Sequence, residues 1–333
     1  MDDRVKAACW SAPVRLDFAG GWTDVAPYAT ERRGMVVNAA IERRVVVEVE
    51  PADRYRLRSE ELDLTVHPRV PADFEKDGKL DLLKAAVRSA GIGPCAVRVR
   101  SDVPPGSGLG SSGALGVALV AALDAAAGRE QDPSSLVDRA WHLEAVEADL
   151  PGGTQDQYAA ARGGFTELRY EPDRVLARSL RLDPAFRSEL ESRILICHTG
   201  QSRVSSDTIA RVMGGFVRGD STITAALDGL AEVAAGMVVA LEAGDLRAVG
   251  ALLLENWGHQ QRLDPGMRTG AMAALERALE PVRPLGWKAA GAGAGGSMFF
   301  LLDGRRDEAE AAATAAGATV LPFRFTDKGA GPC

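Results

Sequence analysis

The residues with the clearest potential for chemistry form a glycine- and serine-rich segment, PPGSGLGSSG, at residues 104–113. It follows a strand-like run at 95–100 and leads into a helix of small residues at 114–127. Glycine lets a backbone bend tightly and approach a ligand closely, and a helix N-terminus offers unpaired N–H groups and the positive end of a dipole. Because Ser111 and Ser112 add hydroxyls at that end, the segment predicts a loop that holds phosphates.

Other interpretations of this segment are weaker. A P-loop needs Gly-Lys-Ser/Thr at the start of the helix, and no lysine follows these glycines. A dinucleotide fingerprint could be placed on Gly108, Gly110 and Gly113, but it needs a second strand ending in an acidic residue about 20 residues later. The chain continues there as helix. The simplest alternative is a glycine-rich turn that caps a helix, although a turn does not require this density of glycine and serine.

Two acidic residues could complete a phosphoryl-transfer site, which needs a metal ion and an aligned hydroxyl. Glu144 lies in the middle of the apolar face of a helix predicted over about 134–149, and a carboxylate facing a core is costly unless it is paired or bound to a cation. A magnesium ion would explain it, and a buried salt bridge to an arginine is the alternative. Asp156 follows the glycine-rich turn at 151–153, which lets its carboxylate approach a substrate, although such an aspartate is usually only a turn residue.

The composition is that of a soluble enzyme. The chain has 333 residues, which is enough for two modest domains, and its net charge of -7 gives no support for binding nucleic acid or an anionic membrane. We find no apolar run of about 18 residues and no signal peptide. The cysteines are widely scattered, at positions 9, 95, 197 and 333. This argues against a metal cluster and predicts reduced thiols in a cytoplasmic protein.

The elements that must position these residues mix strands and helices without repeats. In the first half, strands are predicted at 36–40, 45–49, 95–99 and around 165–170, and helices at 82–90, 114–127 and 134–149. In the second half, strands are predicted at 194–197, 298–302 and 319–325, and helices at 223–241, 270–279 and 307–315. The charged stretch 176–193 is interpreted as a connection between domains. These patterns alone indicate an α+β protein with two domains.

Three segments resemble, in the same order, the three motifs of the GHMP kinases, the superfamily of galactokinase, homoserine kinase, mevalonate kinase and phosphomevalonate kinase. Residues 104–112 resemble the phosphate loop, residues 12–24 (APVRLDFAGGWTD) the substrate motif, and residues 288–297 (KAAGAGAGGS) the third, glycine-rich motif. Within the superfamily, GGWTD is similar to the motif of fucokinases and heptose kinases. The segments GGTQDQYAA and TGQSRVSS are most similar to D-glycero-D-manno-heptose 7-phosphate kinases.

The resemblance implies a two-domain GHMP kinase fold of the α+β class. Residues 1–185 would form an N-terminal domain like ribosomal protein S5 domain 2, with the ATP loop, the substrate motif and the catalytic aspartate. Residues 186–333 would form a ferredoxin-like C-terminal domain. The resemblance further implies a cytoplasmic monomer or homodimer whose partner is a small-molecule sugar or sugar phosphate, with no nucleic acid and no membrane.

The resemblance also implies ATP and Mg²⁺ as cofactors, and a role for each motif residue. The ATP-binding residues would be Pro105, Gly106, Ser107, Gly108, Leu109, Gly110, Ser111, Ser112 and Gly113. Ser112 and Glu144 match the magnesium ligands. Asp156 matches the catalytic aspartate, which would accept the proton of the sugar hydroxyl or orient that hydroxyl for in-line attack. Arg15 matches the basic partner that would keep Asp156 ionised and stabilise the transferring phosphoryl group.

The substrate-binding residues implied are Gly20, Gly21, Trp22, Thr23, Asp24, Gly153 and Arg203. The Asp24 carboxylate can accept hydrogen bonds from two hydroxyls. Trp22 would either stack on a sugar face or pack in the core. Arg203 offers a bidentate fork for a substrate phosphate, and the alternative is that its neighbourhood is only the start of a helix at 205–207. Lys288 would either face the nucleotide or end a strand.

The reaction implied is ATP-dependent phosphorylation of the anomeric (C1) hydroxyl, with D-glycero-D-manno-heptose 7-phosphate as the first substrate candidate. Trp22 stands where heptose kinases commonly carry a third glycine, which leaves open a free sugar such as L-fucose or a secondary-metabolite sugar. An alternative of another class is a non-catalytic sugar or nucleotide sensor on the same scaffold. Because Asp156, Glu144 and Ser112 are all present, the sequence favours an enzyme.

Overall fold

Two β-sheets form the scaffold of residues 5–130, 132–201 and 206–333, the part of the chain that this computed structural model describes. Its strands are β1 (Ala8–Ala19), β2 (Met35–Pro51), β3 (Arg56–Ser59), β4 (Leu64–Val66), β5 (Cys95–Ser101), β6 (Phe165–Glu171), β7 (Arg174–Leu180), β8 (Ile194–His198), β9 (Gly286–Ala289), β10 (Ser297–Leu301), β11 (Thr319–Leu321) and β12 (Gly331–Pro332). The larger sheet has the order β12-β1-β2-β5-β3-β4, with β6 and β7 joined through β2, and the smaller has the order β11-β8-β10-β9.

Helices cover these sheets. They are α1 (Tyr28–Glu31), α2 (Asp81–Ala90), α3 (Ser111–Ala126), α4 (Pro133–His142), α5 (Gln155–Arg162), α6 (Pro184–Arg193), α7 (Ser206–Val217), α8 (Ser221–Ala243), α9 (Leu246–Leu263), α10 (Gly270–Leu279) and α11 (Arg306–Ala315). A π-helical turn, Leu143–Glu147, extends α4, and short 3-10 turns lie at Pro71–Phe74 and Glu280–Val282. The α+β class expected from the sequence is confirmed.

The site depends on one buried helix and one long strand pair. β2 pairs with β1 along most of its length, and its two ends pair with β6 and β5. The sequence predicted two strands at 36–40 and 45–49, which the structure joins into this single strand. α3 packs on β1 and β2. It is apolar on nearly all sides, as a fully buried helix must be, and its alanines and glycines allow close packing against the sheet.

In the second half of the chain, α8 and α9 pack against each other and connect the two sheets. α8 also contacts β1 and β2, whereas α9 contacts β9. By length and composition alone, α8 could cross a membrane, but half of its most apolar stretch is buried within the protein. Leu227, Leu230 and Ala234 on this helix are completely buried, so α8 has the packing of a core helix.

The stretch 176–193, expected to connect two domains, has regular structure and runs from the larger sheet to the first strand of the smaller one. It contains most of β7, which forms a hairpin with β6, and then α6. β7 carries Arg174 and Arg178 and is largely exposed or half-buried, so its sequence lacks the regular apolar alternation that indicates a strand. The division into domains at 1–185 and 186–333 stays a prediction. Its boundary falls within α6, and β12 at the end of the chain returns to pair with β1 in the larger sheet.

The expectation that all cysteines are reduced is also wrong. Cys9 and Cys333 form a disulfide, with their Cα atoms 5.4 Å apart. The antiparallel pairing of β12 with β1 brings these two residues together, and no local pattern in the sequence could show it. Cys95 and Cys197 are free and buried, and burial raises their pKa values to about 11 and about 12.

Candidate active site

The glycine-rich segment forms a loop between β5 and the N-terminus of α3. Gly106, Gly108 and Gly110 have φ angles of 68°, 76° and 76°, a region in which residues with a Cβ are strained. Gly110 is the residue directly before the helix, which begins at Ser111. The loop thus brings backbone N–H groups and the positive end of the α3 dipole to one place, as the sequence predicted for a phosphate-binding loop.

The third glycine-rich motif packs directly against this loop. The N–H of Ser297 donates to the carbonyl of Ser107 at 2.7 Å. A Cβ built on Gly291 would overlap the carbonyl of Gly108, so only glycine allows this approach. Ser107 and the adjacent Leu109 are buried. The motif therefore supports the loop from behind.

Arg15 and Asp156 meet at the open side of the loop. Arg15 lies on β1, and Asp156 lies in the first turn of α5. The Nε and Nη2 atoms of Arg15 lie 2.8 and 2.7 Å from Asp156 Oδ1. Its Nη1 donates to the carbonyls of Gly108 and Ala290 at 2.7 and 3.0 Å. Arg15 thus ties the candidate base to both glycine-rich motifs.

Ser112 and Glu144 also lie together. The Ser112 hydroxyl donates to Glu144 Oε1, and Gln157 Nε2 donates to Glu144 Oε2 at 2.6 Å. Burial raises the pKa of Glu144 to about 7; the hydrogen bond from Ser112 opposes this shift, and the charge of Asp156 adds to it. The predicted alternative, a salt bridge from Glu144 to an arginine, is not found among the ion pairs of the described residues.

The donors at Glu144 fit a magnesium ion. Carboxylate and hydroxyl oxygens are the ligands that Mg²⁺ prefers, and this ion is commonly held by one or two carboxylates together with substrate phosphates. Within the described ranges, no cluster of three or more histidine, cysteine or acidic side chains could hold a metal ion. One carboxylate and one hydroxyl would leave further coordination positions of the ion to the phosphates of a nucleotide.

Asp24, the carboxylate among the predicted substrate-binding residues, is buried, with 6% of its surface exposed. The backbone N–H and Nε2 of Gln155 lie 3.3 and 3.4 Å from its two carboxylate oxygens. Burial, followed by the negative charge of Asp156, raises its pKa to about 7. A Cβ built on Gly153 would overlap Asp24 Oδ2. Gly153 is therefore required for the approach of the 151–153 turn to Asp24.

The residues around Asp24 differ in their roles. Trp22 has a φ of 86° and is buried, and its indole N–H donates to the carbonyl of Ala292 at 3.2 Å. The Thr23 hydroxyl donates to the carbonyl of Gly20 at 2.7 Å, and the N–H of Gly20 donates to Asn256 Oδ1 at 2.9 Å. Thr23 and Gly20 therefore hold the shape of the loop.

Most of the predicted residues line one cavity of about 440 Å³. They are Arg15, Gly21, Trp22, Asp24, Pro105, Gly106, Gly108, Gly110, Ser111, Ser112, Glu144, Gly153 and Asp156. Gly20, Thr23, Ser107, Leu109 and Gly113 lie behind its wall, and Arg203 lies outside the described residues. Lining residues that the sequence analysis missed include Asp17 and Gln155. The spacing of Asp17 two residues after Arg15, on the same face of a strand, was the available signal.

Lys288 does not line the cavity, and it lies one residue before the end of β9. Its side chain is completely buried, and its Nζ lies 3.1 Å from Asp17 Oδ2. Burial lowers the pKa of Lys288, and the charge of Asp17 opposes that shift.

Comparison with known protein families supports this arrangement. The model described as GHMP kinases N terminal domain matches residues 80–164, and the model described as GHMP kinases C terminal matches residues 237–319. The first match contains the phosphate loop, Glu144 and Asp156.

Several individual proteins and solved structures that resemble this chain are sugar kinases by name. D-glycero-alpha-D-manno-heptose 7-phosphate kinase of Campylobacter jejuni is 28% identical over 300 residues, which cover 87% of this chain and 88% of the relative. The bifunctional fucokinase/GDP-fucose pyrophosphorylase of Arabidopsis thaliana is 28% identical over 309 residues, but the match spans only 29% of that longer protein. The crystal structure of a D-glycero-D-manno-heptose 1-phosphate kinase from Bacteroides thetaiotaomicron has a TM-score of 0.80 at 24% identity, covering 98% of this chain and 99% of the other.

The fold and the two matched domain models define the class: the chain belongs to the GHMP kinases. Its relatives along most of its length are kinases. The protein is an ATP-dependent small-molecule kinase.

Proposed function

We propose that this kinase phosphorylates the anomeric (C1) hydroxyl of a sugar. The observation that carries the proposal is the meeting, in one cavity, of the α3 phosphate loop, the Arg15–Asp156 pair and the buried carboxylate of Asp24. The loop supplies a place for the ATP phosphates, the pair a group that can take a proton, and Asp24 an acceptor for sugar hydroxyls.

In this mechanism Asp156 acts on the acceptor hydroxyl. Both Arg15 contacts go to Oδ1, which leaves Oδ2 to receive the hydrogen bond of the hydroxyl. The hydroxyl oxygen attacks the γ-phosphorus of ATP in line, its proton passes to Asp156, and ADP leaves. Arg15 keeps the carboxylate oriented and adds positive charge beside the transferring phosphoryl group.

The nucleotide phosphates would lie on the N–H groups at the start of α3. Ser112 and Glu144 would hold the magnesium ion, whose contribution is to neutralise charge on the β- and γ-phosphates. Gln157 orients Glu144 by donating to its second oxygen.

Two classes of acceptor are candidates. A sugar phosphate, D-glycero-D-manno-heptose 7-phosphate, is the first, because the relative with matching length acts on it by name. A free sugar such as L-fucose is the second. It is favoured by the charges of the cavity: among the described lining residues, Arg15 is the cationic one, and its Nε and Nη1 donors are already used by Asp156, Gly108 and Ala290. A phosphorylated acceptor would need another cation, for which Arg203 remains our candidate.

A coupled ATPase assay over a panel of free sugars and sugar phosphates tests the proposal, with ³¹P and ¹³C NMR to locate the new phosphate. We expect turnover with either the free sugars or the sugar phosphates, and we expect the new phosphate on the C1 hydroxyl. ATP binding without turnover on any member would refute the proposed phosphorylation of a sugar. Arg203→Ala should impair a phosphorylated acceptor far more than a free sugar; equal effects would reject its phosphate-binding role.

A further inference from the structure

A buried ion pair that the proposed mechanism does not use borders the cavity through one of its partners, Asp17. Asp17 on β1 is 2% exposed, and Lys288 on β9 is 0% exposed. The Lys288 ammonium donates to the backbone carbonyl of Asp17 at 2.7 Å, to Asp17 Oδ2 at 3.1 Å and to the carbonyl of Ala289 at 2.9 Å. An ammonium group has three N–H donors. These three contacts therefore use all of them.

The other carboxylate oxygen of Asp17 has no protein partner. Asp17 Oδ1 is buried and lacks a hydrogen bond, which is costly for a carboxylate oxygen. Asp17 lines the cavity together with Gly21. A Cβ built on Gly21 would overlap Asp17 Oδ2, the oxygen that Lys288 holds, so only glycine allows the chain to pass this close to the carboxylate. Because Asp17 lines the cavity and no protein group donates to Oδ1, a molecule bound in the cavity could supply that donor.

A second unpartnered acceptor lies nearby. Gln155 Oε1 is buried without a hydrogen bond, and Gln155 also lines the cavity. A Cβ built on Gly21 would lie 3.2 Å from Gln155 Nε2, so Asp17 and Gln155 border the same glycine. Acceptors without partners select for donors, and the O–H groups of a polyol are donors, whereas phosphate and carboxylate oxygens are not.

We infer that Asp17 is a further acceptor-binding residue whose Oδ1 accepts a hydrogen bond from a hydroxyl of the acceptor. Lys288 holds the carboxylate through Oδ2 and so determines which oxygen is offered to the ligand. The inference rests on the proposed function, because it requires a polyhydroxylated acceptor. It predicts that this hydroxyl is a specificity determinant: a site built to bond a hydroxyl discriminates strongly against the analogue that lacks it.

The test is steady-state kinetics of Asp17→Asn with the sugar that the wild-type enzyme phosphorylates. The amide oxygen of the new side chain would take the Lys288 bond and turn its NH₂ donor toward the ligand. We expect the KM for the acceptor to rise about 10- to 100-fold, the range for losing a hydrogen bond to a charged group, while the KM for ATP stays within about twofold. Glu167→Gln is the matched control, because Glu167 is a buried, ion-paired carboxylate in the sheet that does not line the cavity.

Deoxy analogues of the acceptor locate the hydroxyl. One analogue should lose about tenfold or more in kcat/KM with the wild-type enzyme, and that loss should largely vanish in Asp17→Asn. An unchanged acceptor KM, or equal increases for acceptor and ATP, would overturn the assignment. If Asp17→Asn does not fold, as judged by its melting temperature, D17N/K288M removes both charges together and takes its place. A wild-type enzyme inactive on every sugar counts against the proposed function, whereas an active wild type with unaltered Asp17→Asn kinetics counts against Asp17 alone.

Discussion

Asp24→Asn should abolish a loss of stability that the wild-type protein shows as the pH rises. Burial and the Asp156 charge raise the pKa of Asp24 from 3.8 to about 7. Between these values the unfolded chain has released this proton while the folded protein retains it, so the folded state loses stability as the pH increases, and the loss levels off above the folded pKa. At neutral pH the buried charge of Asp24 thus destabilises the folded protein. A bound ligand with hydroxyl donors would reduce this destabilisation.

The size of this loss of stability follows from the pKa shift of Asp24. Between about pH 5 and about pH 8, the titration of Asp24 lowers the free energy of unfolding by roughly 3 kcal/mol. Two pH units of that interval lie below the folded pKa, and each is worth about 1.4 kcal/mol. For a chain of this length this corresponds to about 4 °C in Tm. Asp24 is nearly inaccessible to solvent, so solvent screening reduces this free-energy change only slightly.

The assay is thermal unfolding of wild type and Asp24→Asn across this pH range, without nucleotide. Asp245→Asn is the control, because Asp245 caps α9 through two backbone N–H groups and asparagine caps a helix equally well. We expect the Tm of the wild type and the control to fall by about 4 °C more than that of Asp24→Asn. Parallel curves for wild type and Asp24→Asn would refute the argument.

Three further predictions concern catalysis, the acceptor loop and the terminal strands. Asp156→Asn should lower kcat by about 10²- to 10⁴-fold with ATP affinity nearly intact, as measured by calorimetry; equal losses would mean a structural role. Gly153→Ala should raise the KM for the acceptor, because the added Cβ would overlap Asp24 Oδ2. Gly152→Ala is the control and should behave like wild type, because no atom lies within 4 Å of its added Cβ. Similar kinetics for both variants would contradict this prediction. Reducing the disulfide between β1 and β12 should lower the free energy of unfolding by about 2–5 kcal/mol. Before reduction, a thiol titration of the denatured protein should count two reactive thiols, those of Cys95 and Cys197. Four would show that the bond is absent.

The glycine-rich loop and the helix that follows it could be predicted from the sequence because their signals are local. Glycine permits the positive φ angles at Gly106, Gly108 and Gly110, and the apolar run that follows ensures a buried helix whose N-terminus must lie beside them. Glu144 was predicted in the same way, since helical periodicity alone placed its carboxylate on an apolar face. The roles of Arg15, Asp24 and Asp156 required the resemblance to a family, because a single charged residue in a strand or turn has no distinctive local pattern.

The sequence by itself therefore determined the class of chemistry, the order of most helices and strands, and the residues that carry the motifs. Tertiary structure alone decided which distant residues meet. Asp17 and Lys288 are 271 positions apart, and Cys9 and Cys333 are 324 apart. Their contacts depend on the pairing of β12 with β1 and on the approach of the residues at the end of β9 to Asp17, whose N–H donates to the carbonyl of Ala290. Strand pairing and burial are properties of the assembled core, so the partner of a buried charge or thiol cannot be read from its neighbours in the chain.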